Sequence, residues 1–138
     1  MLPLVPEHGS WMIINPRCAH GHGVRVGDVV VASHPLNPAE GVVKRVMGLP
    51  GDYVAAGKGN IARVPSGHCW LAGDNASGSR DSRHYGPVSL ALVNGKVVAF
   101  VQRNGLLLRW TSVRNGLEDL DPDVREMLKA APSETRVK

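Results

Sequence analysis

Lys44 lies in the run from Gly41 to Asp52, Gly-Val-Val-Lys-Arg-Val-Met-Gly-Leu-Pro-Gly-Asp. Val42, Val43, Val46 and Met47 favour a strand, and Pro50-Gly51 supplies the central pair of a type II turn. Side chains alternate along a strand, so Val42, Lys44 and Val46 share one face. If that face is buried, the Lys44 amine is carried out of water, its charged form is disfavoured and its pKa falls. A lysine so treated is a general base near neutral pH. The other use of such a residue is a solvated charge that keeps a foreign strand from pairing at an edge. A second chemistry-bearing stretch runs from Gly73 to Pro87 and holds Asp74, Asn75, Ser77, Ser79, Asp81, Ser82 and Arg83. Asp81 and Arg83 can form a charge-assisted pair that fixes Ser82 between them. Its plain alternative is a surface loop whose Asp and Asn side chains satisfy their own backbone.

The elements that must position these groups are short. Sixteen glycines and ten prolines divide the 138 residues into brief segments, and aromatics make up only 4 %. Val, Leu, Ile and Ala therefore fill the core of a mainly β fold. Strands are expected at Trp11–Ile14, at Val29–Ala32 (ended by Pro35 and Pro38) and along the Lys44 run. Tyr53–Ala56 and Ile61–Val64 form a hairpin around Gly57 to Asn60, and Cys69–Ala72 is a further strand. Leu90–Val93 and Lys96–Val101 flank Asn94-Gly95, which reads as a hairpin turn, and Leu106–Trp110 adds one strand more. The His- and Gly-rich stretch to Gly23 reads as a loop. Asp121 and Pro122 open a short helix over 121–131, with Val124, Met127 and Leu128 on one face, and Ser133 to Lys138 form a disordered tail. Residues 1–110 are thus expected to form one β domain and 111–138 an extension.

Composition narrows the function. The formal charge of +4 is small and the basic residues are scattered, which does not indicate a nucleic-acid surface. No apolar run approaches the ~18 residues that span a bilayer. Pro3, Pro6, Glu7 and His8 interrupt any signal-peptide pattern at the N-terminus. Cys18 and Cys69 are expected as thiols rather than a pair. His20 and His22 lack further ligands at metal spacing, so no metal or other cofactor is expected.

Lys44 to Asp52, with Val64 to Asn75 and Ser79 to Val88, resembles the lysine box and the last box of the type I signal peptidases. Gly27-Asp28-Val29-Val30 is similar to the strand preceding the lysine box. The resemblance spans roughly Met1 to Val101 and implies a signal-peptidase/LexA-like compact β-barrel. It also implies serine endopeptidase chemistry by a Ser-Lys dyad, in which a deprotonated lysine takes the proton of an attacking serine. In these terms Lys44 is the general base, Ser82 the serine that orients it, and Asp81 and Arg83 the structural pair around the site. Asp74 and Asn75 shape the loop. Only a short hairpin separates the two boxes, as in the compact family members that work at the mitochondrial inner membrane, facing the intermembrane space. The resemblance then implies precursor proteins as substrates, a second related subunit as partner, and membrane association through an anchor that this sequence does not include.

The family's serine box reads Ser-Met-x-Pro, and Met1-Leu2-Pro3 aligns with its last three positions. The nucleophile is therefore expected one position before Met1, with Met1 and Pro3 lining the substrate cleft. Ser10, Ser77 and Ser79 are in no such box, and the chain as written is expected to hydrolyse nothing. A truncated protease is the leading expectation. A nucleophile-free paralogue that binds peptides or supports a partner is the alternative, ahead of a compact bacterial signal peptidase, a LexA-like self-cleaving module and a nucleic-acid-binding barrel.

Overall fold

The computed structural model describes residues 10–75, 78–104, 106–113 and 115. Met1, Pro3, Ser77, the helix expected at 121–131 and the tail lie outside the described residues. The elements are β1 (Ser10–Asn15), β2 (Val29–His34), β3 (Asn37–Gly48), β4 (Tyr53–Gly57), β5 (Asn60–Arg63) and β6 (His68–Ala72). They continue with a single-turn helix α1 (Ser82–Tyr85), then β7 (Val88–Ser89), β8 (Val93–Asn104) and β9 (Leu107–Ser112). The fold is mainly β, as expected.

Seven strands form one antiparallel sheet in the order β1-β8-β2-β3-β6-β7, with β9 also on β8, while β4 and β5 pair as a separate hairpin. The long strand β3 joins these parts. One edge pairs with β2 from Gly41 to Arg45, and the other pairs with β6 only from Arg45 onward. Pro38 does not end a strand but lies in the outer part of β3, where it is exposed. Such a place suits a residue with no N–H to give to a ladder.

Alternation along β3 divides its valines between two cores. Val42 and Val46 pack with Val30, Leu71, Val88 and Val93, while Val43 packs on the other side against Val29, Val97 and Phe100. A third cluster of Val54, Val64 and Trp70 seals the β4–β5 hairpin onto β6. Each fully buried Val or Leu contributes roughly 1.5–3 kcal/mol. Lys44 therefore projects from the face that carries Val42 and Val46, beside the first cluster. At the start of β2, buried Asp28 accepts from Lys96 Nζ at 2.8 Å and from the Arg25 N–H at 2.9 Å. That ion pair ties β2 to β8 near their shared ladder.

Two local expectations fail. Asn94-Gly95 makes no hairpin, because β8 runs straight through it, and Leu90–Leu92 is a 3₁₀ turn rather than a strand. Gly95 serves a close approach instead. A Cβ there would lie 2.5 Å from Ile14 Cγ2 and 2.8 Å from the Asn15 carbonyl oxygen, so the strand interior admits only glycine. The His-rich stretch from Pro16 to Gly21 is 3₁₀-like but kinked at Ala19 and His20, where the backbone leaves the helical region, and the Asn15 side chain caps its start by accepting from the Arg17 N–H.

Candidate active site

The strand β3 carries Lys44 to the edge of the first core, and the chain from Gly73 to Tyr85 folds back over it. Lys44 Nζ donates to Ser79 Oγ at 2.6 Å. Burial pushes the Lys44 pKa below the ordinary lysine value; the Asp81 charge opposes that shift and the Arg83 charge adds to it. An amine held this way gives up its proton more readily than a solvated lysine and keeps a fixed direction.

Gly73 makes the contact sterically feasible. A Cβ at that position would overlap Ser79 Oγ and sit 2.5 Å from Ser79 Cβ, with Lys44 Nζ at 3.5 Å. No side chain fits there while Ser79 holds the lysine.

Asp81 is the anchor of the covering loop. Its side chain is fully buried and accepts from the Gly73 N–H at 2.9 Å, from the Arg83 N–H at 3.1 Å and from Arg83 Nε at 2.9 Å. It also caps α1, with His84 reaching back to the Asp81 N–H. Burial alone would raise its pKa, but the Arg83 side chain and the two backbone donors outweigh it and hold the carboxyl well below the usual range. The Gly73 donor links this anchor directly to the residue that leaves room for Ser79. A second clamp ties the loop to β3: Arg45 forms a two-pronged contact with Asp74, Nε to Oδ1 at 2.8 Å and Nη2 to Oδ2 at 3.0 Å, and its Nη1 donates to the Gly27 carbonyl at 2.7 Å.

Ser82, expected to orient Lys44, has a different job. It is the first residue of α1, buried, and its Oγ accepts from the Leu71 N–H at 2.9 Å. The cap at Asp81 turns the helix start inward, so the hydroxyl three residues earlier, that of Ser79, is the one facing the amine. Asp81 and Arg83 do pair, as expected, although what they hold in place is the loop around Gly73. Ser10 is on β1 with its hydroxyl buried and no hydrogen-bond partner, and nothing brings it to Lys44. Cys18 and Cys69 are free thiols; Cys69 is buried, which pushes its pKa up to about 11. No cluster of ligating side chains suited to a metal occurs among the described residues.

A cleft of about 540 Å³ opens beside the amine, walled by His34, Leu36, Val42, Arg80 and Tyr85. The edge of β3 from Val42 to Lys44 that faces away from β2 has no strand on it among the described residues. An extended peptide can pair with such an edge and bring its backbone past the lysine.

Among the described residues, a half-buried lysine hydrogen-bonded to a serine thus lies beside an unpaired edge of an antiparallel sheet. Residues 5–62 and 55–102 match the family model described as signal peptidase, peptidase S26, and the chain belongs to that family. Among its relatives is the mitochondrial inner membrane protease subunit 1 of Schizosaccharomyces pombe, 40 % identical over 88 % of this chain and 76 % of the relative. Subunit 1 of Saccharomyces cerevisiae is 34 % identical over 72 % of this chain and 61 % of the relative. Subunit 2 of Danio rerio is 34 % identical over 85 % and 62 %. A solved signal peptidase I from Enterococcus faecalis overlaps 53 % of this chain and 95 % of its own, at 23 % identity and a TM-score of 0.45.

Proposed function

We propose that this chain is the catalytic body of a serine endopeptidase of the signal peptidase type that removes sorting sequences from precursor proteins at the mitochondrial inner membrane, on its intermembrane-space side. The single observation that carries the reading is the half-buried Lys44 amine hydrogen-bonded to Ser79, beside a strand edge that is unpaired among the described residues. The names of the relatives support the location and the pairing with a second, related subunit. No helix among the described residues is long and apolar enough to cross a membrane, so in this reading the anchor lies outside them.

In this mechanism the precursor lies as an added strand along Val42–Lys44. The attacking serine is the one that the family's Ser-Met-x-Pro box places before Met1-Leu2-Pro3. Neutral Lys44 takes the serine proton as the oxygen adds to the scissile carbonyl. The resulting ammonium returns a proton to the leaving amine as the peptide bond breaks. Lys44 then deprotonates the water that hydrolyses the acyl-serine. Ser79 keeps Nζ aimed throughout, and Arg83, Asp81 and Gly73 keep Ser79 in place.

The test adds one serine before Met1 and follows cleavage of a presequence-bearing precursor peptide. Cleavage at one bond, abolished by Lys44→Met, is the expected result. Peptide binding without turnover would replace the reading with that of a peptide-binding paralogue.

A further inference from the structure

A second cavity, of about 380 Å³, is walled by Met47, Tyr53, Val54, Trp70, Ala72 and Arg83. It lies on the face of the sheet opposite Lys44. Leu71 packs in the first core, so Trp70 and Ala72 turn to the other side, where Arg45 and Met47 also stand. The volume falls within the ~300–1,000 Å³ of ligand clefts. Two of its apolar walls are left uncovered among the described residues: Met47 is 48 % and Tyr53 60 % exposed. Arg83 gives Nε and Nη2 to Asp81, and its Nη1 has no hydrogen-bond partner among the described residues. Exposed Arg63 stands opposite Tyr53 in the hairpin and adds positive charge at the rim.

The described chain ends close by, on the same face. Val113 packs in the cluster of Val29 and Val43. Asn115 Nδ2 donates to the Val26 carbonyl at 2.8 Å and to Asp28 Oδ1 at 3.0 Å. Gly27, between those two residues, gives its N–H to the Val46 carbonyl at 2.7 Å. Asn115 is thus fastened beside β3 next to Met47, and a few residues at about 3.3 Å each carry the chain on to the cavity. The run that follows, residues 117–128, reads Leu-Glu-Asp-Leu-Asp-Pro-Asp-Val-Arg-Glu-Met-Leu, with five carboxylates against one arginine. We propose that this run seats in the cavity, with Leu117 and Leu120 covering Met47, Tyr53 and Trp70 and with Glu118 or Asp119 accepting from Arg83 Nη1. The chain's own segment is the occupant because the Asn115 tether delivers it at high effective concentration, and its carboxylates match the guanidinium. Arg83 also fixes Asp81, and through Gly73 and Ser79 the Lys44 amine, so the seated segment braces the far end of that chain of contacts. The seating is independent of whether the chain cuts peptides.

NMR of the full chain follows the Trp70 indole N–H and the Met47 methyl group in the wild type and in the double variant Leu117→Ser/Leu120→Ser. Leu106→Ser, at a fully exposed leucine before β9, is the control, and thermal melting establishes that each variant folds. A synthetic peptide of residues 117–128 is then added to the wild type and to the double variant. Both signals are expected to move in the double variant and not in the control. The peptide should return them saturably in the double variant and bind the wild type at least tenfold more weakly. The same peptide with Glu118→Gln and Asp119→Asn should bind roughly two- to fivefold more weakly. Signals indifferent to both the double substitution and the peptide would overturn the site. Equal peptide binding to the wild type and the double variant would overturn the own-chain assignment and give the cavity to an acidic segment of another protein. A wild-type dimer in sedimentation that the double substitution dissociates would overturn it in favour of a second copy.

Discussion

Ser79 Oγ accepts a 2.6 Å hydrogen bond from Lys44 Nζ, across 35 residues of sequence, and Gly73 is the residue whose missing side chain leaves room for it. The Lys44 amine is thus held by a short chain of contacts: Arg83 to Asp81, Asp81 to the Gly73 N–H, and Ser79 packed over Gly73 onto the amine. Each link has a measurable consequence. Activities below refer to the chain with a serine placed before Met1.

The two serines of the loop separate by readout. Ser79→Ala should lower turnover about 100-fold, the lower end for a general base that has lost its alignment, with little change in melting temperature. Ser82→Ala should instead cost roughly 1–3 kcal/mol of stability, because the buried Leu71 N–H loses its acceptor. Kinetics and melting of the two variants check this.

Gly73→Ala places a methyl group inside the position of Ser79. The hydroxyl must move, and a displacement of an ångström or so costs on the order of 100-fold in rate. Turnover should fall by about that factor, with the KM for the precursor peptide nearly unchanged.

Acid should act through Asp81. Its folded pKa lies below the unfolded value of about 3.9, so the stability it provides is present above that pH and is lost as pH falls through the folded value. Asp81→Asn leaves the Arg83 guanidinium facing a neutral amide. At pH 7 it should cost about 3–5 kcal/mol, and the gap should narrow below about pH 4. Denaturant melts of both proteins across that range measure the gap.

Lys44 has the opposite sign. Burial lowers its folded pKa, so the unfolded chain binds the proton more tightly and the folded state carries a penalty that is full below the folded pKa. The penalty fades as pH rises towards the ordinary lysine value of about 10.4. Lys44→Met should abolish turnover and leave the melting temperature at pH 7 equal or higher. A clear drop in melting temperature would mean the amine is well solvated.

The lysine was legible in the sequence because strand alternation needs no tertiary knowledge: Val42 and Val46 on either side of Lys44 place it next to a core wherever the strand goes. The orienting serine was not. Ser79 and Ser82 are both small hydroxyl residues in a loop without period, and only the inward turn at the Asp81 cap decides which one meets the amine. The cap itself offered a signal, since Asp81 followed three residues later by His84 can close a capping box, which turns the residue after Asp81 into a helix start. Asn94-Gly95 misled for a related reason. A glycine demanded by close strand crossing carries the same letters as one demanded by a turn, and only the contact with Ile14 and Asn15 tells them apart. The Arg45–Asp74 clamp joins residues 29 positions apart and had no local pattern to announce it.

Titration of the Lys44 side chain by NMR, following its Cε and Nζ resonances in the chain as it stands and in Ser79→Ala and Ser82→Ala, bears most directly on whether residue 44 is a base. A midpoint below the ordinary lysine range, moved by Ser79→Ala and unmoved by Ser82→Ala, is the expected result. A midpoint near 10.4 that neither substitution changes would contradict it.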